Sequence, residues 1–280
     1  MCLNIRYTDI LSQEQASWLL QQRWINESRS RSRAPRRTSL AKRSGPLRAA
    51  IFDFDLTLAD STAAVVACVD YALDSLNLGP VSPEQVRRTI GLSLDAALEV
   101  LTGETSPQAR VRFHQLFVEA ADRVMVAQTE MMEGVLPALD VLRESGLRLG
   151  VVSTKYRYRI EDILDRHGAR DRFTSIVGAE DTEYHKPDPE GLYLTLTSLG
   201  ICAGEAVYVG DHVVDAEAAE RASVPFVGVL TGTTKEDEFR EFPHLGLLRA
   251  VPQLPSFLDG LLGWPPEEHG PRAAAEAEYD

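Results

Sequence analysis

Residues 49–61 read AAIFDFDLTLADS. The run Ala49–Phe52 is apolar and has the character of a short buried strand, and three carboxylates follow it: Asp53, Asp55 and Asp60. An ionised carboxylate next to a buried strand needs a partner, because removing its charge from water without compensation is costly. Asp53 and Asp55 are two positions apart, so an extended backbone points both side chains to the same side. Their partners must come from elsewhere in the chain.

Beyond this stretch, short apolar runs alternate with helical patterns. Strands are expected at 48–53, 147–152, 173–177, 206–210 and 225–229, and helices at 135–145, 157–167, 189–199 and 213–222. Gly146, Gly168 and Gly200 follow three of these helices, where a left-handed residue usually ends the turn. The alternation predicts parallel βαβ units and an α/β, doubly wound, Rossmann-like sheet. The interval 61–134 breaks the rhythm. It carries helical patterns and no convincing strand, with Pro83 and Pro107 at first-turn positions. It reads as a small helical cap domain inserted after the first strand, 61–134, leaving 47–60 and 135–262 as the core domain. Asp60 and Ser61 offer capping oxygens where that insert begins.

The ends of the chain have a different composition. Residues 1–22 contain a candidate short helix with Ser12 as cap, and 23–46 are rich in Arg and Ser and poor in apolar residues. Residues 1–46 are therefore expected to be a disordered basic arm, a targeting segment or a start assigned too early, and 263–280 a disordered acidic tail. Residues 1–48 hold 10 Lys and Arg against 3 Asp and Glu, while the remainder holds 19 against 39. An acidic body argues against a nucleic-acid-binding core. No apolar run approaches the roughly 18 residues of a membrane span. Cys2, Cys68 and Cys202 are few and widely spaced, as in a reduced, cytoplasmic protein, the localisation expected here. The core is expected to be a monomer or homodimer.

In open α/β sheets ligands collect at the carboxyl ends of the strands. Asp53 and Asp55 follow the first predicted strand, Ser153, Thr154 and Lys155 the second, Lys186 the third, and Asp211 and Asp215 the fourth. Asp211 and Asp215 are four apart and share one face of a helix start. Buried carboxylates in such number require a cation, and Mg²⁺ suits a set of oxygen ligands completed by water and phosphate. Lys155 reads as solvated, as do His185 and His212 in their loops and Arg87 and Arg88 on a helix face. His114 reads as an ordinary, partly buried helix residue.

Taken together, DFDLT (53–57 and its flank), VVST (151–154), HKPDP (185–189) and VGDHVVD (209–215) resemble, in order, the four motifs of the haloacid dehalogenase superfamily. The resemblance covers about 47–235, including a helical cap of the C1 type. It implies that Asp53 is the nucleophile that forms an aspartyl-phosphate, and that Asp55 is the general acid and then base. It further implies that Asp53, the Asp55 carbonyl and Asp211 hold Mg²⁺. Ser153 and Lys186 would hold the phosphoryl oxygens, with Thr154 and Asp215 in support. Two positions depart from the family pattern: Leu56 replaces the usual glycine after the second aspartate, and Ser223 stands where an Ala-Gly pair is frequent.

The details also sort among family members. Asp55 is present, which favours phosphate transfer over dehalogenation. Residues 61–134 contain no lysine, against a Schiff-base phosphonate cleavage, and Leu94 stands where sugar-phosphate mutases carry arginine. The resemblance is therefore strongest to phosphoglycolate phosphatases, acting on a small phosphorylated metabolite. A pyrophosphatase or nucleotide phosphatase would carry the same core. A phosphotransferase, or a non-catalytic regulatory member, is the remaining alternative.

Overall fold

The computed structural model describes residues 46–262. The expected helix within 1–22, the basic arm up to its last residue, and the tail 263–280 lie outside the described residues.

The core is a six-stranded parallel sheet in the order β5-β4-β1-β6-β7-β8. Its strands are β1 (Ala49–Phe52), β4 (Arg148–Val152), β5 (Ser175–Val177), β6 (Ala206–Gly210), β7 (Phe226–Val229) and β8 (Gly246–Leu248). β1 lies at the centre, paired with β4 through Ala49–Arg148 and with β6 through Ala49–Ala206. The first five strands fall where the sequence predicts them. β8 was not predicted: it is a three-residue edge strand that begins with glycine, a residue depleted in strands.

Side chains of β1 alternate between two apolar layers. Ala50 and Phe52 face one and Ala49 and Ile51 the other. The second layer is closed by α7 (Glu190–Leu199) and α8 (Val213–Ala222), through Leu192, Leu196, Ala218 and Ala219. The first layer receives α5 (Val135–Glu144) and α6 (Arg157–Arg166), through Leu139, Leu142, Ile160 and Ile163. Coverage on both faces is what an all-parallel sheet requires, and it explains why its strands are continuous apolar runs.

Between residues 61 and 134 come four helices: α1 (Thr62–Leu76), α2 (Pro83–Arg87), α3 (Leu94–Thr102) and α4 (Pro107–Gln128). Pro83 and Pro107 occupy first-turn positions, as expected, behind Ser82 and Ser106, whose hydroxyls accept backbone N–H groups. Phe113, Leu116, Met125 and Val69 join the first apolar layer. The segment is not wholly strand-free. β3 (Glu130–Met131) pairs antiparallel with β2 (Ala59–Asp60), a two-stranded ribbon at the segment's two ends. A two-residue strand carries no periodicity, so the expectation of none between 61 and 134 fails only there.

Candidate active site

The peptide of Asp53 donates to Val209 O at 2.9 Å and that of Ser153 to Val177 O at 3.0 Å. Each residue is thereby fixed where its strand ends, on the carboxyl edge of the sheet. After Phe52 the chain leaves the strand and turns, with Leu58 N and Ala59 N both donating to Phe54 O. The turn separates the two aspartates that an extended backbone would have aligned. Asp53 faces one set of partners and Asp55 another.

Asp53 is 1% exposed, and its Oδ1 lies 2.8 Å from Lys186 Nζ. That contact is an ion pair without hydrogen-bond alignment, so Oδ1 remains a buried oxygen that accepts no hydrogen bond. Lys186 also donates to Asp215 Oδ1 at 2.6 Å and to the Tyr208 hydroxyl at 3.3 Å. Asp215 Oδ1 accepts from the Tyr208 hydroxyl at 3.0 Å, and its Oδ2 accepts from His212 N at 3.0 Å where α8 begins. Asp211 Oδ1 accepts from the Thr57 hydroxyl at 2.8 Å. Thr57, Lys186, Asp211 and Asp215 are all buried.

Carboxylate oxygens of Asp53, Asp211 and Asp215 lie within 4.8 Å of one another. Burial pushes the Asp53 carboxyl up to about 7, with Lys186 opposing and Asp215 adding to the rise. Burial also pushes Asp211 well above the usual carboxylate range, reinforced by Asp53 and Asp215. Burial works against the charge of Lys186, but Asp215 and Asp53 outweigh it and hold its pKa above that of an ordinary lysine. One lysine thus faces three acids, and a further positive charge is needed for all of them to ionise.

The residues fit a divalent cation. Asp53 Oδ1 is a buried oxygen left without a hydrogen bond, and the donor set is all oxygen, which suits a hard ion such as Mg²⁺. Two glycines make room. A Cβ on Gly232 would stand 1.9 Å from Asp211 Oδ2, and one on Gly210 would stand 2.5 Å from the Asp215 carboxyl carbon. Asp53 and Asp211 are two of the expected ligands. The Asp55 carboxylate is not in the cluster.

Asp55 has its own pair of partners. Its Oδ1 accepts from the Ser61 hydroxyl at 2.6 Å, and its Oδ2 lies 3.2 Å from Lys155 Nζ. Lys155 is 8% exposed, which corrects the reading of it as solvated. Its ammonium also has a buried sulfur partner, Met125 Sδ of α4, at 3.3 Å. Ser153 is buried, and its hydroxyl oxygen accepts from Lys155 N at 3.3 Å. Thr154 donates to Gly91 O at 3.4 Å, a contact with the loop that joins α2 to α3. Arg87, read as solvated, is half-buried and donates to Thr231 O at 3.0 Å, while Arg88 is exposed and paired with Glu84. Asp60 accepts from Thr62 N at 2.8 Å at the start of α1, as expected of a capping oxygen, whereas the Ser61 side chain, also expected to cap, makes no capping bond there. His185 and His212 are half-buried rather than solvated; His212 Nδ1 accepts from Val214 N at 3.2 Å. His114 is also half-buried, as expected, and its Nε2 lies 3.0 Å from the Tyr156 hydroxyl.

The sequence pattern of the haloacid dehalogenase-like hydrolases matches residues 50–229. The chain belongs to this family. A phosphoglycolate phosphatase of Xanthomonas campestris is 29% identical over 191 residues, covering 68% of this chain and 86% of the relative. One from Salmonella typhi is 30% identical over 207 residues, covering 66% and 82%. A solved protein from Bacteroides fragilis, designated haloacid dehalogenase-like, superposes with a TM-score of 0.73 at 39% identity, over 74% of this chain and 99% of that one. A hydrolase from Pseudomonas syringae superposes at 0.67 with 27% identity, over 76% and 98%.

For a haloacid dehalogenase-like hydrolase, the residues that sequence reasoning missed are those holding the motif residues in place: Thr57 on Asp211, Ser61 and Lys155 on Asp55, Tyr208 on Asp215. Thr57 and Lys155 lie inside or beside motifs and were visible. Tyr208 sits in the middle of β6, where it reads only as a strand residue. Both departures from the family pattern leave a mark on the backbone: Leu56 has φ 59° and Ser223 φ 56°, the left-handed region that glycine adopts more easily.

Proposed function

We propose that the chain is a metal-dependent phosphatase that hydrolyses a small phosphomonoester through an aspartyl-phosphate on Asp53. The observation that carries this is the buried Asp53 carboxylate, 2.8 Å from Lys186 and with an oxygen free of hydrogen bonds. An Asp53 oxygen attacks phosphorus, a P–O bond to Asp53 forms, and the ester P–O bond breaks. The departing alkoxide takes a proton from Asp55. Water then attacks the phosphoryl group and gives a proton to Asp55, releasing phosphate and restoring both aspartates. Ser153 and Lys186 hold the phosphoryl oxygens where negative charge concentrates.

Asp53 and Asp211, with the Asp55 carbonyl, would hold Mg²⁺, which supplies positive charge that lets an anionic nucleophile approach an anionic phosphate. Asp215 is committed to Lys186, Tyr208 and His212 N, and we assign it the task of orienting Lys186. The helices of 61–134 act as a cap. Their loop near Gly91 lies against Thr154 and His212 and closes the site around a small substrate. The curated relatives are named phosphoglycolate phosphatases, and a short phosphorylated carboxylic acid is the substrate class we assign. A panel of phosphorylated metabolites, including 2-phosphoglycolate, pyrophosphate and nucleoside monophosphates, ranked by kcat/KM with Mg²⁺, tests this. A leading rank for pyrophosphate or a nucleotide would overturn the substrate class. Full turnover in EDTA would overturn the metal dependence.

A further inference from the structure

We propose that Lys155 is a positioning residue for Asp55: its ammonium and the Ser61 hydroxyl clamp the two oxygens of that carboxylate in the orientation that serves the leaving group. The inference rests on Asp55 acting as acid and base.

Three observations support it. The clamp is two-sided, with Ser61 Oγ on Oδ1 at 2.6 Å and Lys155 Nζ on Oδ2 at 3.2 Å. A carboxylate held at one oxygen can rotate about its terminal torsion, which is broad and two-fold; one held at both cannot. The clamp is also dry: the side chains of Lys155 and Asp55 are 5% and 10% exposed. A surface ion pair between flexible side chains would not fix an orientation, but a buried one does. Finally, Lys155 spans the two halves of the site. Its side chain reaches Asp55, while its own N–H donates to the Ser153 hydroxyl oxygen at 3.3 Å. The ammonium also donates to Met125 Sδ at 3.3 Å. One residue therefore sets the position of Asp55 relative to Ser153, the serine that would hold a phosphoryl oxygen.

A positioning role has a signature that loss of stability lacks. Cleaving an alkyl phosphate forms a P–O bond to Asp53 and breaks the ester P–O bond, and the alkoxide must take the proton from Asp55. The 4-nitrophenolate of an aryl phosphate leaves without that proton. A misplaced Asp55 therefore slows the first turnover of the alkyl ester alone, and the aryl ester is slowed only later, when water attacks Asp53-phosphate.

The test measures first-turnover alcohol release by rapid quench in the full-length protein with saturating Mg²⁺. The substrates are 4-nitrophenyl phosphate and an alkyl phosphate, and the variants Lys155→Met and Asp55→Asn. Both variants should lose about 100-fold on the alkyl ester and less than threefold on the aryl ester in first-turnover rate. In the aryl case a burst should become visible as the second step slows. Should Lys155→Met fail to fold, as judged by circular dichroism, Lys155→Gln decides by the same readout. Equal loss on both esters, or no loss, in a folded Lys155 variant while Asp55→Asn shows the selectivity overturns the role of Lys155 alone. If Asp55→Asn also lacks selectivity, the acid/base reading and this inference fall together.

Discussion

The two edges of the central sheet obey different rules. At the amino edge, helices end in Gly146, Gly168 and Gly200, all with positive φ, and the chain re-enters the sheet through ordinary turns. Charge there is at the surface, as in the Arg48–Glu205 pair at 3.5 Å. At the carboxyl edge, Asp53, Asp211, Asp215 and Lys186 are buried together, and the backbone accepts a left-handed Leu56 beside them. The amino edge is arranged for stability. The carboxyl edge concentrates like charge that a folded protein ordinarily avoids, which is the expected mark of a site kept for chemistry.

The sharpest way to break that contrast is Asp53→Asn. Removing the nucleophile should lower kcat by about 10⁴-fold or more. The same change should stabilise the metal-free protein by about 0.5–2 kcal/mol, because a neutral isostere relieves a carboxyl whose burial already disfavours its charge. Opposite signs for activity and stability, read from steady-state kinetics and thermal melts in EDTA, are the expected pair. A variant less stable than wild type in EDTA would mean that Asp53 is a structural partner of Lys186.

Gly232→Ala probes the cradle. Its Cβ would meet Asp211 Oδ2 at 1.9 Å, so Asp211 must turn away and give up its bond from Thr57. Apparent Mg²⁺ affinity should weaken by about 10–100-fold, measured by titrating activity with Mg²⁺. A wild-type titration curve would remove Asp211 from the ligand set.

Metal removal and pH give a smaller effect. The folded Asp53 carboxyl titrates near 7, against 3.8 for its ordinary value. Between those values the folded protein binds more protons than the unfolded chain. Stability from this group is therefore full below about 3.8 and is lost as pH rises through about 7. In EDTA, lowering the pH from 8 to 6 should raise stability by on the order of 1 kcal/mol. With Mg²⁺ present the ionised carboxylates are favoured, and the gain should shrink or reverse. Parallel melting curves in EDTA and Mg²⁺ would show that no cation is held by these groups.

How far the sequence could be read divides along the same line. The amino edge and the helices followed from local rules: five strands, four core helices and the three glycines were legible because each depends on residues within a few positions of itself. The four-motif order made Asp53, Ser153, Lys186 and Asp211 legible, though they come from distant parts of the chain. What escaped were contacts set by the turn after Phe52. The period-two rule put Asp53 and Asp55 on one side, but the strand ends before either, and Asp55 meets Ser61 and Lys155 instead. Lysine is ordinarily a surface residue, so only the presence of a buried carboxylate could have marked Lys155 as internal. The β2–β3 ribbon is too short for any periodicity, and β8 opens with glycine, which is depleted in strands.

The smallest effect lies at the amino edge, in Ser223→Gly. Ser223 ends α8 with φ 56°, a conformation that costs an L-residue energy and glycine very little. It is exposed, and its backbone N–H already bonds to Glu220 O, so the substitution removes no buried contact. Relief of the left-handed strain is partly offset by the greater freedom of glycine in the unfolded chain. A net gain of about 0.5 kcal/mol, or about 1–2 °C in Tm, is expected with unchanged kcat/KM. Leu56 has nearly the same φ, but its side chain is only 1% exposed, so glycine there would trade strain for a cavity. The strain at Ser223 is removable because nothing else depends on the side chain. A loss of stability in Ser223→Gly would show that the amino edge, too, holds its unusual backbone for a reason beyond turn geometry.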